Sequence, residues 1–217
     1  MKKLLLILLC FLLSGCANDS IKITANKNPG ILHYVDFRSS VDKDHDGVDD
    51  ATDIVKAVRE YVATDPIYKS AYYAGGYPND GHGVCTDVVA FALLHAGYDL
   101  QEEVYLHIMN NRDLYDIDIV DKNIDFRRVR NLIIFFNHNF HILTNDISKI
   151  EEWQGGDIVV FHEHIGIVSD NRNHKGIPFV IHHRGKYQLY YEEDILENSK
   201  VIGHYRAKWK EASAQCH

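Results

Sequence analysis

The chain has 217 residues, 46% of them hydrophobic and 25% charged, so it can bury a core of ordinary size in a single domain. Its 23 basic residues are outnumbered by 31 acidic ones. That balance argues against a nucleic-acid partner, for which affinity comes largely from basic contacts to phosphate. Four cysteines, two of them within the first 16 residues, do not make a disulfide-built fold.

The chain begins Met1-Lys2-Lys3, followed by an apolar run from Leu4 to Leu13. Positive charge before a short apolar run is the pattern of a secretory signal, and the run falls short of the about 20 residues that span a bilayer. An anchor that stays uncleaved is the alternative. Leu13-Ser14-Gly15-Cys16 resembles the bacterial lipobox. That resemblance implies removal of residues 1–15, lipidation of Cys16, and residues 16–40 as a polar tether. Acyl chains on Cys16 would hold the protein at a membrane surface. Ala17, where no aspartate stands, favours the outer membrane facing the periplasm if the host has two membranes. Cleavage would remove Cys10 and leave 21 basic against 31 acidic residues. Cys85 and Cys216 then remain, either free or bridged; the polar terminal setting of Cys216 favours free thiols.

Helical spacing is clear over 52–64, where Ile54, Val55, Val58 and Val62 recur on one face. Gly75 to Gly81 is rich in breakers and reads as loop. An apolar helix is expected from Cys85 to Ala96, ended by Gly97, with further helices over 101–110 and 127–138. The character then changes to β-prone runs at 158–161, 165–168, 179–181 and 201–205. Helices first and a sheet afterwards predict an α+β domain over 52–210 rather than alternating βαβ units. A monomer is expected.

Cys85 stands where the glycine-rich loop becomes a helix. A helix N-terminus offers free N–H groups and the positive end of the macrodipole, so a thiolate is expected to be favoured there. The same N–H groups suit an oxyanion formed in acyl transfer. Gly81 and Gly83 are expected to let substrate or backbone come close. A thiol nucleophile needs a base. His162-Glu163-His164 offers candidates at a strand start, with residues 162 and 164 expected on one face. His182 and His183 follow on the next strand, where one of them can orient the base.

Taken together, Tyr72-Tyr73-Ala74-Gly75-Gly76, Cys85-Thr86-Asp87-Val88-Val89, Trp153 to Val159, His164 to Val168 and Val180-Ile181-His182 resemble the core segments of NlpC-type cell-wall peptidases, which have a papain-like fold. The resemblance is closer to the domain of unknown function 1287 family, over about residues 52–206. It rests on Gly83 to Val89, Asn123 to Val129, His164 to Asp170 and Gly203-His204-Tyr205-Arg206. The chain departs from that pattern at Phe126, where a histidine is usual, and at His183, where an asparagine is usual. The resemblance implies Cys85 as nucleophile, His164 as base and His182 as its orienter, acting on peptidoglycan peptides or another envelope amide with no cofactor required. It implies an N-terminal cysteine helix packed on a C-terminal antiparallel sheet. Tyr72 is expected to aid the oxyanion site. Asp87 is expected either there or as a cap that holds Arg127 or Arg128.

A second signal lies at 41–53. Asp42, Asp44, Asp46, Asp50 and Asp53 fall at positions 1, 3, 5, 9 and 12 of a loop with Gly47 at position 6 and the Val48 carbonyl at 7. This is calcium-loop spacing, and a structural Ca²⁺ is expected. The alternative is a solvated acidic turn with Asp53 capping the next helix. Two readings compete with the hydrolase: a zinc site built from Cys85, His162, His164 and His182, and a non-catalytic lipoprotein that binds wall peptides.

Overall fold

A computed structural model describes residues 39–207 together with the backbone of Leu32–His33. The signal segment, Cys10, Cys16, Cys216 and most of the tether lie outside the described residues. A short strand β1 is formed by Leu32–His33. Helix α1 spans Asp50–Ala63 and buries Ile54, Val55, Val58 and Val62. Its cap is Asp49, whose carboxylate accepts from Thr52 N, so Asp53 is not the capping residue. Strands β2 (Ile67–Tyr68) and β3 (His82–Gly83) pair in parallel and bracket the glycine-rich loop.

Helix α2 begins at Cys85 and ends at His95, with Gly97 at φ +80° just beyond. That left-handed conformation is one glycine adopts without steric cost. α2 packs against α1 and the sheet and is buried on nearly every side, which explains a sequence with little polar face. Helix α3 (Leu100–Asn110) is capped by Asp99, and a 3₁₀ turn at Asp125–Arg127 leads into α4 (Val129–Asn139).

The strands that follow are β4 (His141–Ile142), β5 (Ile158–Phe161), β6 (His164–Arg172), β7 (Pro178–Ile181), β8 (Glu192–Glu193) and β9 (Val201–Arg206). They form an antiparallel sheet in the order β4-β9-β5-β6-β7-β8, and β1 pairs with the far end of β6. The fold is therefore mixed α+β, with four α-helices and an antiparallel sheet among the described residues.

Both faces of the sheet are covered. On β5, Ile158 and Val160 join the main core with the helices, while Val159 and Phe161 join a second core around Trp153, Val168, Val180 and Leu196. Burial on both sides is why Ile158 to Phe161 reads as an unbroken apolar run rather than an alternating one. One buried carboxylate closes the sheet's start. Asp157 accepts from Arg206 Nε at 2.7 Å and from Gln154 N at 2.9 Å, and stands 3.0 Å from His204 Nε2. The Trp153 indole stacks on the His204 ring at 3.8 Å.

The β5–β6 register pairs Phe161 with His164, leaving His162 and Glu163 as a two-residue turn with Glu163 at φ +56°. His162 is exposed in that turn and does not share a strand face with His164. Gly166, on β6, lets β7 come close. A Cβ there would lie 2.7 Å from Val180 Cγ1, 2.8 Å from the Ile181 carbonyl and 3.0 Å from His182 Cβ. Gly166→Ala is therefore expected to destabilise the protein by about 1–3 kcal/mol, as overpacking does, and to displace His182. Chemical denaturation checks the first effect; unchanged stability would show that β7 yields freely.

Candidate active site

Cys85 is the first residue of α2 and the only free cysteine among the described residues. What holds the helix start in place is a buried ion pair. Asp87, 0% exposed, accepts from Arg127 Nε at 2.6 Å and Nη2 at 2.9 Å, and also from the Val84 backbone N–H at 2.8 Å. Arg127 Nη1 donates to the Ala71 carbonyl, and Thr86 Oγ1 donates to the Arg127 carbonyl. Asp87 is thus a cap and an arginine anchor, with both oxygens occupied, rather than an oxyanion or substrate ligand. The smallness of Gly83 is likewise spent inside the protein, since a Cβ there would meet the Tyr61 hydroxyl at 2.2 Å.

The backbone amides of Ile165, Thr86 and Cys85 itself act to lower the pKa of the thiol. Ile165 directly follows His164, so the thiol lies beside the strand end that carries the expected base. Those N–H groups favour thiolate, but burial outweighs them, with the Asp87 charge adding to it, and the thiol is pushed up to about 11. Against the expected stabilised thiolate, burial favours the neutral thiol.

His164 Nε2 lies 2.9 Å from His182 Nδ1, and His182 Nε2 lies 3.0 Å from Glu193 Oε2. This series sets the tautomers. The Glu193 carboxylate favours a proton on His182 Nε2 by its charge, although the pair falls short of hydrogen-bond geometry, and Nδ1 is then the acceptor side of the ring. His164 must then carry its proton on Nε2, which leaves Nδ1 as the free base. Burial, then the charges of His182, Arg184 and His183, pull His164 down to about 3, so its imidazole is neutral.

Glu193 is the member that sequence reasoning missed. It sits on a two-residue strand whose register places Glu193 opposite Val180. Its neighbour Glu192 is held by Asn171 Nδ2 at 2.8 Å, by Ser169 Oγ and by Arg59 of α1. Arg59 also pairs with Asp170. The faint signal was the acidic pair Glu192-Glu193 eleven positions beyond His182.

Other expected residues fall outside this series. Tyr72 is 57% exposed and its hydroxyl accepts from Asn123 Nδ2 at 3.3 Å. The tyrosine whose ionisation is raised by Cys85, after burial, is Tyr68 on β2. His183 packs edge-on against Tyr68 and Tyr191, at 5.2 Å from each, beside the relay rather than in it. With His162 in an exposed turn, the four expected zinc ligands do not converge. Among the described residues the one cluster placed to hold a metal is Asp42, Asp44 and Asp46.

Two open clefts lie on the surface, and one of them reaches the series at Glu193. One, of about 600 Å³, is lined by the 184–190 loop and reaches Glu193. The other, of about 490 Å³, is lined by His162, Glu163, Arg128 and Arg130 among others.

His164, His182 and His183 are all held below the ordinary imidazole value, chiefly by burial. In the unfolded chain they take up protons near pH 6.5; in the folded protein they do not. Their contribution to stability is therefore full above about pH 6.5 and is lost as pH falls from there, toward about 4 for His183. Glu103, pushed up to about 7 by burial, works in the opposite sense over part of this range. The effect is therefore read as a difference: from pH 7 to pH 5, His183→Asn should lose about 1–2 kcal/mol less stability than the wild type. Equal losses would show that His183 is not held neutral.

Comparisons place the chain among relatives. Residues 55–207 match the family model described as "Domain of unknown function (DUF1287)". An Escherichia coli K12 protein, "Uncharacterized protein YijF", is 40% identical over 152 residues, covering 65% of this chain and 72% of the relative. "Endoribonuclease YbeY" of Clostridioides difficile strain 630 is 29% identical over 121 residues, covering 54% of this chain and 74% of the relative. No solved structure matches the chain. The matched span takes in the cysteine helix, the anchoring Arg127, every strand from β2 to β9 and the whole relay, and the chain belongs to the DUF1287 family.

Proposed function

We propose that the protein is a cysteine hydrolase of papain-like, NlpC-type architecture that cleaves amide bonds in peptidoglycan peptides or a related envelope substrate. The observation that carries this reading is the grouping of His164, His182 and Glu193, with spacings of 2.9 and 3.0 Å, on a sheet whose strand β6 packs against the helix that begins at Cys85. The layout of a cysteine helix against an antiparallel sheet agrees with it.

In the reaction, His164 Nδ1 takes the proton from the Cys85 thiol as the sulfur attacks the carbonyl carbon. Backbone N–H groups at the start of α2 receive the developing oxyanion. The carbon–nitrogen bond then breaks, His164 gives its proton to the leaving amine, and a thioester remains on Cys85. Water, deprotonated by His164, attacks the thioester and releases the acid and the thiol. His182 and Glu193 hold the ring and stabilise the imidazolium in between. Arg128, Arg130, Arg184 and Lys186 at the two clefts suit a substrate that carries carboxylates, as wall stem peptides do.

The reading includes export and lipid anchoring through Cys16, with the protein acting as a monomer at the envelope and without nucleic acid. The ribonuclease activity in one relative's name finds no support here, given the acidic balance of the chain and a thiol-centred site. A second reading, a groove kept only to bind wall peptides, draws on the raised Cys85 thiol. Peptide binding by the wild type with no turnover would select it.

Muropeptide digestion followed by mass spectrometry tests the chemistry. Cys85→Ala should leave no turnover, and His164→Ala should lose about 10²–10⁴-fold. His182→Ala should lose less, Glu193→Gln less again, and Cys216→Ala nothing. Full activity in Cys85→Ala would end the proposal. Alkylation of Cys85 by iodoacetamide should be slow at pH 7 and rise about tenfold per pH unit toward about 11; fast reaction at pH 7 would reveal a thiolate.

Anchoring has its own check. The intact mass of protein recovered from membranes should include acyl chains on Cys16, and Cys16→Ser should release the protein or leave its precursor uncleaved. An unmodified mature N-terminus would rule the anchor out.

A further inference from the structure

The segment between β7 and β8 hangs from the residue that touches His164. The His182 backbone N–H donates to the Tyr191 carbonyl at 2.8 Å, so residues 183–190 form a loop closed at its base by His182. Gln188 clasps that loop from inside. Its amide nitrogen donates to the carbonyls of His182 at 3.0 Å and Tyr190 at 2.7 Å, and its amide oxygen accepts from the Arg184 backbone N–H. The Gln188 backbone N–H donates to the Gly185 carbonyl at 3.2 Å. The whole polar capacity of this side chain thus serves the shape of the loop. A loop shaped before its ligand arrives has less ordering entropy to lose on binding. Outward, the loop presents Arg184 and Lys186, both exposed and neither with an ion-pair partner among the described residues. Tyr187 is 94% and Leu189 82% exposed. No acidic residue occurs from His183 to Tyr191, in a chain with 31 acidic and 23 basic residues. These side chains, with Tyr190, line the cleft of about 600 Å³ that Glu193 also lines, and Glu193 lies 3.0 Å from His182.

We propose that the 184–190 loop is the docking subsite for a carboxylate-bearing peptide: Arg184 receives the carboxylate, Lys186 adds charge beside it, and Tyr187 and Leu189 cover an apolar neighbour in the peptide. The inference rests on the hydrolase reading for the reaction that follows docking. A guanidinium fork matches a carboxylate in shape as well as charge. Exposed apolar side chains grouped with cations mark an interaction surface, and a tyrosine ring supplies contact area at small entropic cost. The second cleft is less suited. There Arg128 lies 4.0 Å from Asp125 and Arg130 lies 3.6 Å from Asp116, so both cations already face carboxylates. A lipid surface also fits less well. Its many headgroup phosphates would meet Glu193 in the same cleft, whereas a single carboxylate can rest on Arg184 alone. The Arg184 charge acts on both His164 and His182, so an occupant of the subsite lies within electrostatic reach of the relay.

The full chain carrying Cys85→Ala, which should bind without cleaving, is titrated by NMR with the end-blocked tetrapeptide Ala-Glu-Leu-Ala and with its glutamine counterpart. The glutamate peptide should bind about fivefold more tightly. Adding Arg184→Gln should abolish that preference, and Lys186→Gln should roughly halve it. Tyr187→Ser should weaken both peptides alike, and Arg130→Gln, in the other cleft, should leave the preference intact. Three results overturn the subsite: no binding of the glutamate peptide at millimolar concentration, equal affinity for the two peptides, or an undiminished preference in Arg184→Gln. If no peptide binds and phosphatidylglycerol vesicles are captured by the wild type but not by Arg184→Gln, the loop is a lipid contact instead. A preference that Arg184→Gln abolishes, in a protein whose wild type hydrolyses no muropeptide, would sink the hydrolase reading and leave the subsite standing.

Discussion

The site depends on one buried ion pair. Asp87 and Arg127 lie forty residues apart, and neither side chain has water to share its charge. Taking two charges out of solvent costs several kcal/mol per ion, so such a pair persists only when geometry and extra hydrogen bonds repay the cost. Here they do. The fork of Arg127 meets both carboxylate oxygens, its remaining nitrogen reaches the Ala71 carbonyl, and Asp87 also caps Val84. Three segments with no sheet in common are fastened at one point: the loop before the cysteine, the first turn of α2, and the turn into α4. The direction in which α2 presents Cys85 follows from that fastening.

The histidine side is organised by a different device. β6 and β7 bring His164 and His182 together by register, and the charge that orders their protons comes from the short outer strand β8. Two residues make a weak strand, and β8 is held mainly by the bonds to Glu192 from Asn171, Ser169 and Arg59. Adjacent acidic residues thus divide the work: Glu192 is a structural anchor bonded inward, and Glu193 faces the imidazole.

The four helices and the four longer strands were legible in the sequence because apolar spacing and glycine breaks report local periodicity directly. Cys85, His164 and His182 were legible as types at telling places. What sequence could not give was partnership. Asp49 and Asp53 are both acceptable caps in a string of aspartates, and only the backbone decides that Asp49 accepts from Thr52. Asp50 fits a ligand ladder by spacing, yet Tyr98, distant in sequence, claims it. His162 looked equivalent to His164 because alternation was assumed through a point where the strand turns back. Tyr72 stood in a conspicuous motif, whereas Tyr68, on a strand too short to leave a pattern, lies at the cysteine. Two-residue strands such as β2 and β8 carry no periodic signal, and both touch the site.

The neutral thiol of Cys85 has a consequence for durability. Attack by peroxides and by disulfides proceeds through the sulfur anion, and its rate follows the fraction of anion present. A cysteine kept protonated by its surroundings is a poor target for sulfenic acid formation and mixed-disulfide capture. Slow oxidation of Cys85 is the expected result of the burial that holds its thiol protonated.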